Sequence, residues 1–305
     1  MPHNPKQAAR LSAALVLVLL GGVGAAPIAA AQSMKLVHSQ RSLYREVLVY
    51  EGRDVRCMCF TRNCRIGRQS CMDLDEPDRI VMNYPQMMMA ALYAKPAPSS
   101  VLIIGLGGGT IPRALKQVVP TVRIDVVEID PAVIDVAKKH FGFVEDAHVR
   151  AIAADGRVFV KRALREQRRY DVIMLDAFDH EYIPEHLLTR EFLAEVKALL
   201  APNGVLAANT FSSSRLYDHE SVTYAAVFPT FYNLKKDNRV IIASNGALPG
   251  LDQLRANSER FEDAFRRFGF EASSLLPLFK TKPDWNRNAR VLTDQYSPAN
   301  LLNLE

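Results

Sequence analysis

Short apolar runs alternate with longer amphipathic segments through the middle of the chain. Residues 101–104 form an apolar run of the kind that is buried on both faces of a parallel sheet. Four further strands are predicted, with a helix between each pair, and they span 122–127, 148–153, 171–175 and 205–209. Strands that alternate with helices predict an α/β fold with a doubly wound, mostly parallel sheet and right-handed crossovers.

The pattern differs on either side of that region. Segments 42–50 and 55–60 alternate between polar and apolar residues as β-strands do, with a turn at 51–54. Residues 35–75 are therefore predicted to form a small β domain ahead of a larger α/β domain, 76–305. The larger domain should begin with a helix at roughly 79–93 and end with a strand pair, 231–235 and 239–243, and a helix at 252–268.

The N-terminus has the features of a secretory signal. Lys6 and Arg10 precede an apolar stretch, 11–26, and small residues follow at 29–31. We predict that residues 1–31 are a signal peptide, cleaved after Ala31, that exports the protein to the periplasm. An uncleaved membrane anchor is the alternative, because 11–31 is just long enough to cross a bilayer. A third alternative is that the segment is neither, and no other stretch of the sequence could span a membrane.

All four cysteines lie in the predicted β domain, at positions 57, 59, 64 and 71. An even number in an exported chain favours disulfides, although three connectivities are open. Cys57 and Cys59 would point to one face of a strand and so would bond to other partners. Free thiols and a metal site are the alternatives, but the C-x-C-x4-C-x6-C spacing is not a familiar zinc pattern.

The net charge argues against a nucleic-acid partner. The 305 residues carry a formal net charge of +5, and Lys6 and Arg10 supply two of those charges. The remaining +3 is too small to predict a nucleic-acid partner.

Candidate chemistry lies where the predicted strands end. Gly105, Gly107 and Gly109 form a turn before a helix, which lets backbone N–H groups approach a ligand. Glu128 ends the next strand, 23 residues after Gly105, at the spacing of a carboxylate that binds both ribose hydroxyls. Asp155 and Gly156, which could receive an adenine amine, end the third strand, and Asp176 ends the fourth. Any one of these acids could instead be a helix N-cap, but together they predict a nucleotide site.

The rest of the motif favours an S-adenosyl sulfonium compound over a dinucleotide. Thr110 stands where the dinucleotide turn has its third glycine. Asp176 and Asp179 lie three residues apart and suit the capture and deprotonation of a cationic amine. The fold expected is therefore the α/β sheet of S-adenosylmethionine-dependent methyltransferases, with a small N-terminal β appendage.

These segments resemble the spermidine synthase (polyamine aminopropyltransferase) family, in particular a bacterial branch that is often fused to membrane transporters. The resemblance runs from about 42 to 302, and its strongest segments are 101–110, 127–133, 154–156, 176–192 and 292–298. It implies transfer of an aminopropyl group from decarboxylated S-adenosylmethionine to a diamine such as putrescine, without a metal, by a protein that pairs as a homodimer.

The resemblance also implies a role for each matching residue. Asp176 matches the catalytic base, and Tyr84 matches a tyrosine beside the acceptor. Asp179 and Gln86 match the acceptor-binding acids. Glu128 matches the ribose ligand, and Asp155 with Gly156 matches the adenine contact. Arg45, beside Tyr44, takes the place of a cofactor-binding glutamine.

The departures from the family pattern leave three functions open. Gly108 stands where the family has an aspartate that binds the aminopropyl amine, so undecarboxylated S-adenosylmethionine becomes admissible, and Arg45 could pair with its carboxylate. Gln86 replaces a glutamate and removes a charge from the acceptor site. Aminopropyl transfer is the first hypothesis, and methyl transfer to an unknown acceptor is the second. The third is a non-catalytic, exported polyamine-binding protein, which export favours because sulfonium cofactors are made in the cytosol.

Overall fold

Two β-sheets organise the protein, whose structure is a computed structural model that describes residues 34–65, 67–177, 184–212 and 215–303. The first sheet is antiparallel, with the order β1-β2-β3-β4. Its strands are β1 Lys35–Arg41, β2 Glu46–Glu51, β3 Val55–Cys59 and β4 Arg68–Asp73. The chain from Met34 onward forms one compact unit. The predicted signal peptide, 1–31, lies outside the described residues.

The second sheet has seven strands in the order β10-β11-β9-β8-β5-β6-β7. Its strands are β5 Ser100–Ile104, β6 Arg123–Glu128, β7 Val149–Ala153, β8 Tyr170–Leu175, β9 Leu200–Thr210, β10 Phe231–Lys235 and β11 Arg239–Ser244. Strands β5 to β9 are parallel, and β10 and β11 form an antiparallel extension at one edge. The predicted fold class, with its N-terminal β-sheet, is confirmed.

Ten α-helices connect or flank these strands within the described part of the chain. They are α1 Asn83–Met89, α2 Ala91–Ala94, α3 Thr110–Val118, α4 Pro131–His140, α5 Gly156–Arg165, α6 Arg190–Leu199, α7 Leu216–Val227, α8 Leu251–Ser258, α9 Glu262–Arg267 and α10 Ala299–Asn303. No helix in the described ranges combines the length and apolar character needed to cross a bilayer.

Strand β5 shows why a continuous apolar run belongs at the centre of such a sheet. Its residues 101–104 are at most 2% exposed. Val101 and Ile103 belong to one core and Leu102 and Ile104 to the other, because successive side chains of a strand point to opposite faces. Helices α1–α4 and α8 contribute to the first core, and α5–α7 contribute to the second.

Two predicted helices are interrupted. The helix expected at 79–93 begins only at Asn83 and breaks at Ala90 into α1 and α2. Pro85 accounts for the late start, because its ring would clash with the carbonyl group four residues earlier if the helix extended further back. The helix expected at 252–268 divides into α8, a 3-10 turn at Glu259–Phe261, and α9.

Two disulfides connect the cysteines, Cys57 with Cys71 and Cys59 with Cys64. Cys57 on β3 lies directly opposite Cys71 on β4. All four cysteines are buried and form a small core within the first sheet. As expected from their common face, Cys57 and Cys59 bond to other partners, and the structure selects one connectivity of the three.

Candidate active site

A cavity of about 900 Å³ lies where the carboxyl ends of the parallel strands face the N-terminal sheet. Open α/β sheets bind ligands at this edge. The predicted site residues that line the cavity are Arg45, Tyr84, Gly105, Gly107, Glu128, Asp155, Gly156 and Asp176. Gly109 and Gln86 are not part of the lining, and Asp179 lies outside the described residues.

The glycine turn has a backbone that other residues would adopt only with strain. Gly105, Gly107 and Gly109 have φ angles of 99°, 52° and 76°. A Cβ atom on Gly105 would lie 2.1 Å from the carbonyl oxygen of Asp176. Gly109 is the N-cap residue of α3 and packs against Phe143, so it supports the turn from behind the cavity.

Gly108 is packed more closely than Gly107, the residue before it. A Cβ atom there would lie 2.7 Å from Ser70 Oγ and 3.0 Å from the ring of Phe141. The aspartate of the family pattern therefore does not fit at this position unless Ser70 and Phe141 move. Where the family has the aspartate, this chain instead packs the turn closely against Ser70 of the N-terminal sheet and against Phe141.

Glu128 is held rigidly at the end of β6. Its Oε2 accepts a hydrogen bond from the backbone N–H of Leu106, and its Oε1 accepts one from that of Asp130, both at 3.0 Å. Burial raises the pKa of Glu128, and the two backbone hydrogen bonds oppose that rise. Each carboxylate oxygen keeps a free lone pair, so Glu128 can still accept hydrogen bonds from a ribose.

Asp155 has a structural role beside its place in the cavity wall. Its Oδ1 accepts a hydrogen bond from the N–H of Val158 at 2.9 Å, which caps helix α5. Its Oδ2 lies 2.8 Å from His186 Nε2. The N-cap alternative is thus correct for Asp155, and His186, which was not among the predicted site residues, joins it in the wall.

Asp176 is the most perturbed carboxyl group in the cavity. Asn209 Nδ2 donates a hydrogen bond to its Oδ1 at 3.0 Å, and the Tyr84 hydroxyl group, whose own hydrogen bond goes to Gln69, lies near enough to lower the pKa of Asp176. Burial raises the pKa of Asp176 to about 7; the Asn209 hydrogen bond and the nearby Tyr84 hydroxyl group oppose this rise, and the Glu128 charge adds to it. A carboxyl group with this pKa is a stronger base than an ordinary aspartate.

Tyr84 and Gln86 both lie in the first turn of α1, but their side chains contact different groups. The Tyr84 hydroxyl group also lies 3.3 Å from the carbonyl oxygen of Gln69, and burial raises its pKa. Gln86 Nε2 instead donates to the carbonyl oxygen of Ile80 at 2.9 Å. Residues two apart on a helix do not share a face, which is why the pair is split.

Arg45 reaches the cavity from the N-terminal sheet. Its guanidinium carbon lies 4.3 Å from the centre of the Phe60 ring, and its charge opposes the rise that burial causes in the pKa of Glu128. Arg68 and Gln69 of β4 line the same wall. This sheet therefore closes the cavity opposite the strand ends and brings positive charge toward the carboxylates.

Sequence reasoning missed several polar groups of the site, among them Asn209, Asn238 and His186. Asn209 could have been predicted as a site residue, because it is a polar residue near the end of the fifth parallel strand. Across the described ranges, no group of three or more His, Cys, Asp or Glu side chains is arranged to hold a metal ion.

Comparisons with known proteins agree with this geometry. The family profile "Spermine/spermidine synthase domain" matches residues 82–232. A polyamine aminopropyltransferase from Vibrio vulnificus (strain CMCP6) is 46% identical over 272 residues, which are 88% of this chain and 91% of the relative.

Solved structures show the same fold. A probable spermidine synthase from Corynebacterium glutamicum ATCC 13032 has a TM-score of 0.62 at 17% identity, covering 84% of this chain and 99% of that one. Human methyltransferase-like protein 13, in complex with SAH, has a TM-score of 0.55 at 24% identity, covering 72% of this chain and 100% of that one.

Proposed function

Because the chain belongs to the spermine/spermidine synthase family, we propose that it is a polyamine aminopropyltransferase. It transfers the aminopropyl group of decarboxylated S-adenosylmethionine to a diamine such as putrescine. The observation that carries this proposal is Asp176, a carboxyl group with a pKa of about 7, which faces a cavity lined by the glycine turn and Glu128.

The cavity suits both substrates. Its volume of about 900 Å³ lies within the range of small-molecule sites. Glu128 and the turn at Gly105 and Gly107 would hold the adenosine, with Asp155, Gly156 and His186 beside its adenine ring. The acceptor amine would lie toward Asp176, Tyr84 and Asn209.

The reaction needs a neutral amine, whose ordinary pKa is about 10. Asp176 accepts a proton from the acceptor nitrogen, which attacks the aminopropyl carbon bonded to the sulfonium sulfur. A carbon–nitrogen bond forms, the carbon–sulfur bond breaks, and its electron pair leaves the sulfur as a neutral thioether. Asn209 holds the carboxylate in place, and its negative charge orients the protonated amine beside it before the proton moves.

The relatives favour this function over the other two hypotheses. The 46%-identical relative covers most of both chains and is named as an aminopropyltransferase. The likeness to methyltransferase-like protein 13 is one of fold. A partly buried base with a raised pKa at the cavity favours turnover over binding alone.

The test is an assay of the purified protein with decarboxylated S-adenosylmethionine and putrescine, with mass-spectrometric detection of spermidine and the thioether product. We expect both products in equal amounts, and none when S-adenosylmethionine replaces the decarboxylated form. Methylated acceptor with S-adenosylmethionine would favour the second hypothesis. Putrescine binding by calorimetry without any product would favour the third.

We also propose that residues 1–31 export the protein to the periplasm. The two disulfides support this location, because such bonds persist in oxidising compartments. Cell fractionation with alkylation of free thiols tests it, and a cytosolic protein with four free thiols would contradict it.

Homodimer formation stays a prediction, which light scattering of the purified protein can check.

A further inference from the structure

The turn between β10 and β11 lies beside the proposed base. Asn238, the last residue of this turn, lines the cavity. Its Nδ2 donates a hydrogen bond to Asn209 Oδ1 at 3.3 Å, and Asn209 Nδ2 donates to Asp176 Oδ1 at 3.0 Å. The three side chains form one hydrogen-bonded row that ends at the carboxylate.

The turn is anchored on two other sides. Asp237 Oδ2 accepts a hydrogen bond from Asn83 Nδ2 at 2.6 Å, and Asn83 directly precedes Tyr84 on α1. The carbonyl oxygen of Asp237 accepts a hydrogen bond from Ser212 Oγ at 2.8 Å. The turn thus connects the segments that carry Tyr84 and Asn209, the two polar neighbours of Asp176.

The carboxylate sets the direction of the row. An ionised carboxylate only accepts hydrogen bonds, so Asn209 must present its NH2 group to Asp176. Asn209 then presents its oxygen to Asn238, which must present its own NH2 group. If Asn209 rotated by half a turn, its oxygen would face Asp176 and would favour the protonated acid. The Asn238 donor opposes that rotation.

We propose that Asn238 is a positioning residue that fixes the amide orientation of Asn209 and thereby stabilises the ionised form of Asp176. The inference rests on the proposed function, in which Asp176 accepts the proton. Other titratable and charged groups act on Asp176 independently of Asn238. Among the described residues they are Glu128 on β6, Tyr84 on α1 and, around the same cavity, Asp130, Asp155, His186, Arg45 and Arg68.

The experiment measures kcat/KM for the diamine as a function of pH in the full-length protein and its variants. Asn238→Ala removes the donor, so the acid limb of the profile should move to higher pH by about half a unit to one unit. Asn238→Asp presents an acceptor and a negative charge, so its limb should move further in the same direction. Ser212→Ala, which removes a hydrogen bond to the same turn, should leave the limb where it is in the wild type.

A structural role alone would lower the rate by the same factor at every pH. Acid limbs that coincide in the wild type and Asn238→Ala therefore overturn the inference, and so does an equal shift in Ser212→Ala. Asn238→Ala alone decides the matter if Asn238→Asp does not fold, as judged by thermal unfolding. A wild-type protein without aminopropyl transfer, or a fully active Asp176→Asn variant, marks a failure of the proposed function itself.

Discussion

Replacing Gly105 with alanine tests whether the glycine turn sets the position of the proposed base. The new methyl carbon would lie 2.1 Å from the carbonyl oxygen of Asp176, whereas real Cβ atoms essentially never approach another atom within 3.0 Å. The turn and the end of β8 would therefore have to separate by about 1 Å. The alanine would also have to adopt a φ angle of 99°.

Both effects lower the free energy of unfolding. A left-handed backbone costs a non-glycine residue about 1–2 kcal/mol, and forced overpacking costs about 1–3 kcal/mol. We expect a total loss of about 2–5 kcal/mol, which corresponds to a Tm decrease of about 5–15 °C. A displacement of about 1 Å at the base should also lower kcat about a hundredfold.

Gly250→Ala is the matched control. Gly250 has a φ of −68°, and a Cβ atom there would have no neighbour within 4 Å. Because Gly250 is the N-cap residue of α8, its free energy of unfolding should change by no more than about 1 kcal/mol, with kcat unchanged. Thermal unfolding and the aminopropyl-transfer assay measure both variants. A Gly105→Ala variant as stable and as active as Gly250→Ala would refute the argument.

Four further predictions concern the base, the disulfides and metals. Asp176→Asn should lower kcat by about 10²–10⁴-fold with little change in adenosyl-substrate affinity by calorimetry; wild-type turnover would exclude the base role. The pKa of Asp176 is raised to about 7 in the folded protein, so its ionisation lowers the free energy of unfolding as pH rises from about 4 to 7. Asp176→Asn removes this penalty and should therefore raise Tm more at pH 8 than at pH 5. An equal change in Tm at both pH values would contradict the argument. Replacing Cys57 and Cys71, which are 14 residues apart, with alanine should cost about 3 kcal/mol in urea unfolding, and the loss should vanish when wild type and variant are compared in reductant. Activity should survive EDTA, since the leaving group is a neutral thioether that needs no Lewis acid; loss of activity restored by a divalent metal would show otherwise.

Strands buried on both faces were the most predictable part of the fold. Residues 101–104 and 171–175 could be placed to within a residue, because their apolar runs need burial on two sides. Strand β9 was harder. Pro202-Asn203-Gly204 has the composition of a turn, but β9 begins at Leu200 and includes it. Asn203, at a φ of 55°, lies near an irregularity in the β8–β9 pairing, which sequence alone does not reveal.

The candidate site was predictable where one chain segment determines it. Glu128, Asp155 and Asp176 follow consecutive parallel strands, so topology brings them to one edge. Asn238 belongs to an antiparallel hairpin, and its contact with Asn209 depends on how that hairpin pairs with β9. Gln86 could not be assigned from the motif, because its side chain turns to the carbonyl oxygen of Ile80.

The disulfides described in the first sheet lie next to residues that line the cavity. Phe60 follows Cys59 directly, and Gln69, which bonds to Tyr84 through its carbonyl oxygen, is two residues before Cys71. A newly synthesised, reduced chain would have the base in place but would lack the covalent links behind the opposite wall. We therefore expect the catalytic chamber to mature only after thiol oxidation, which would make activity dependent on the redox state of its surroundings.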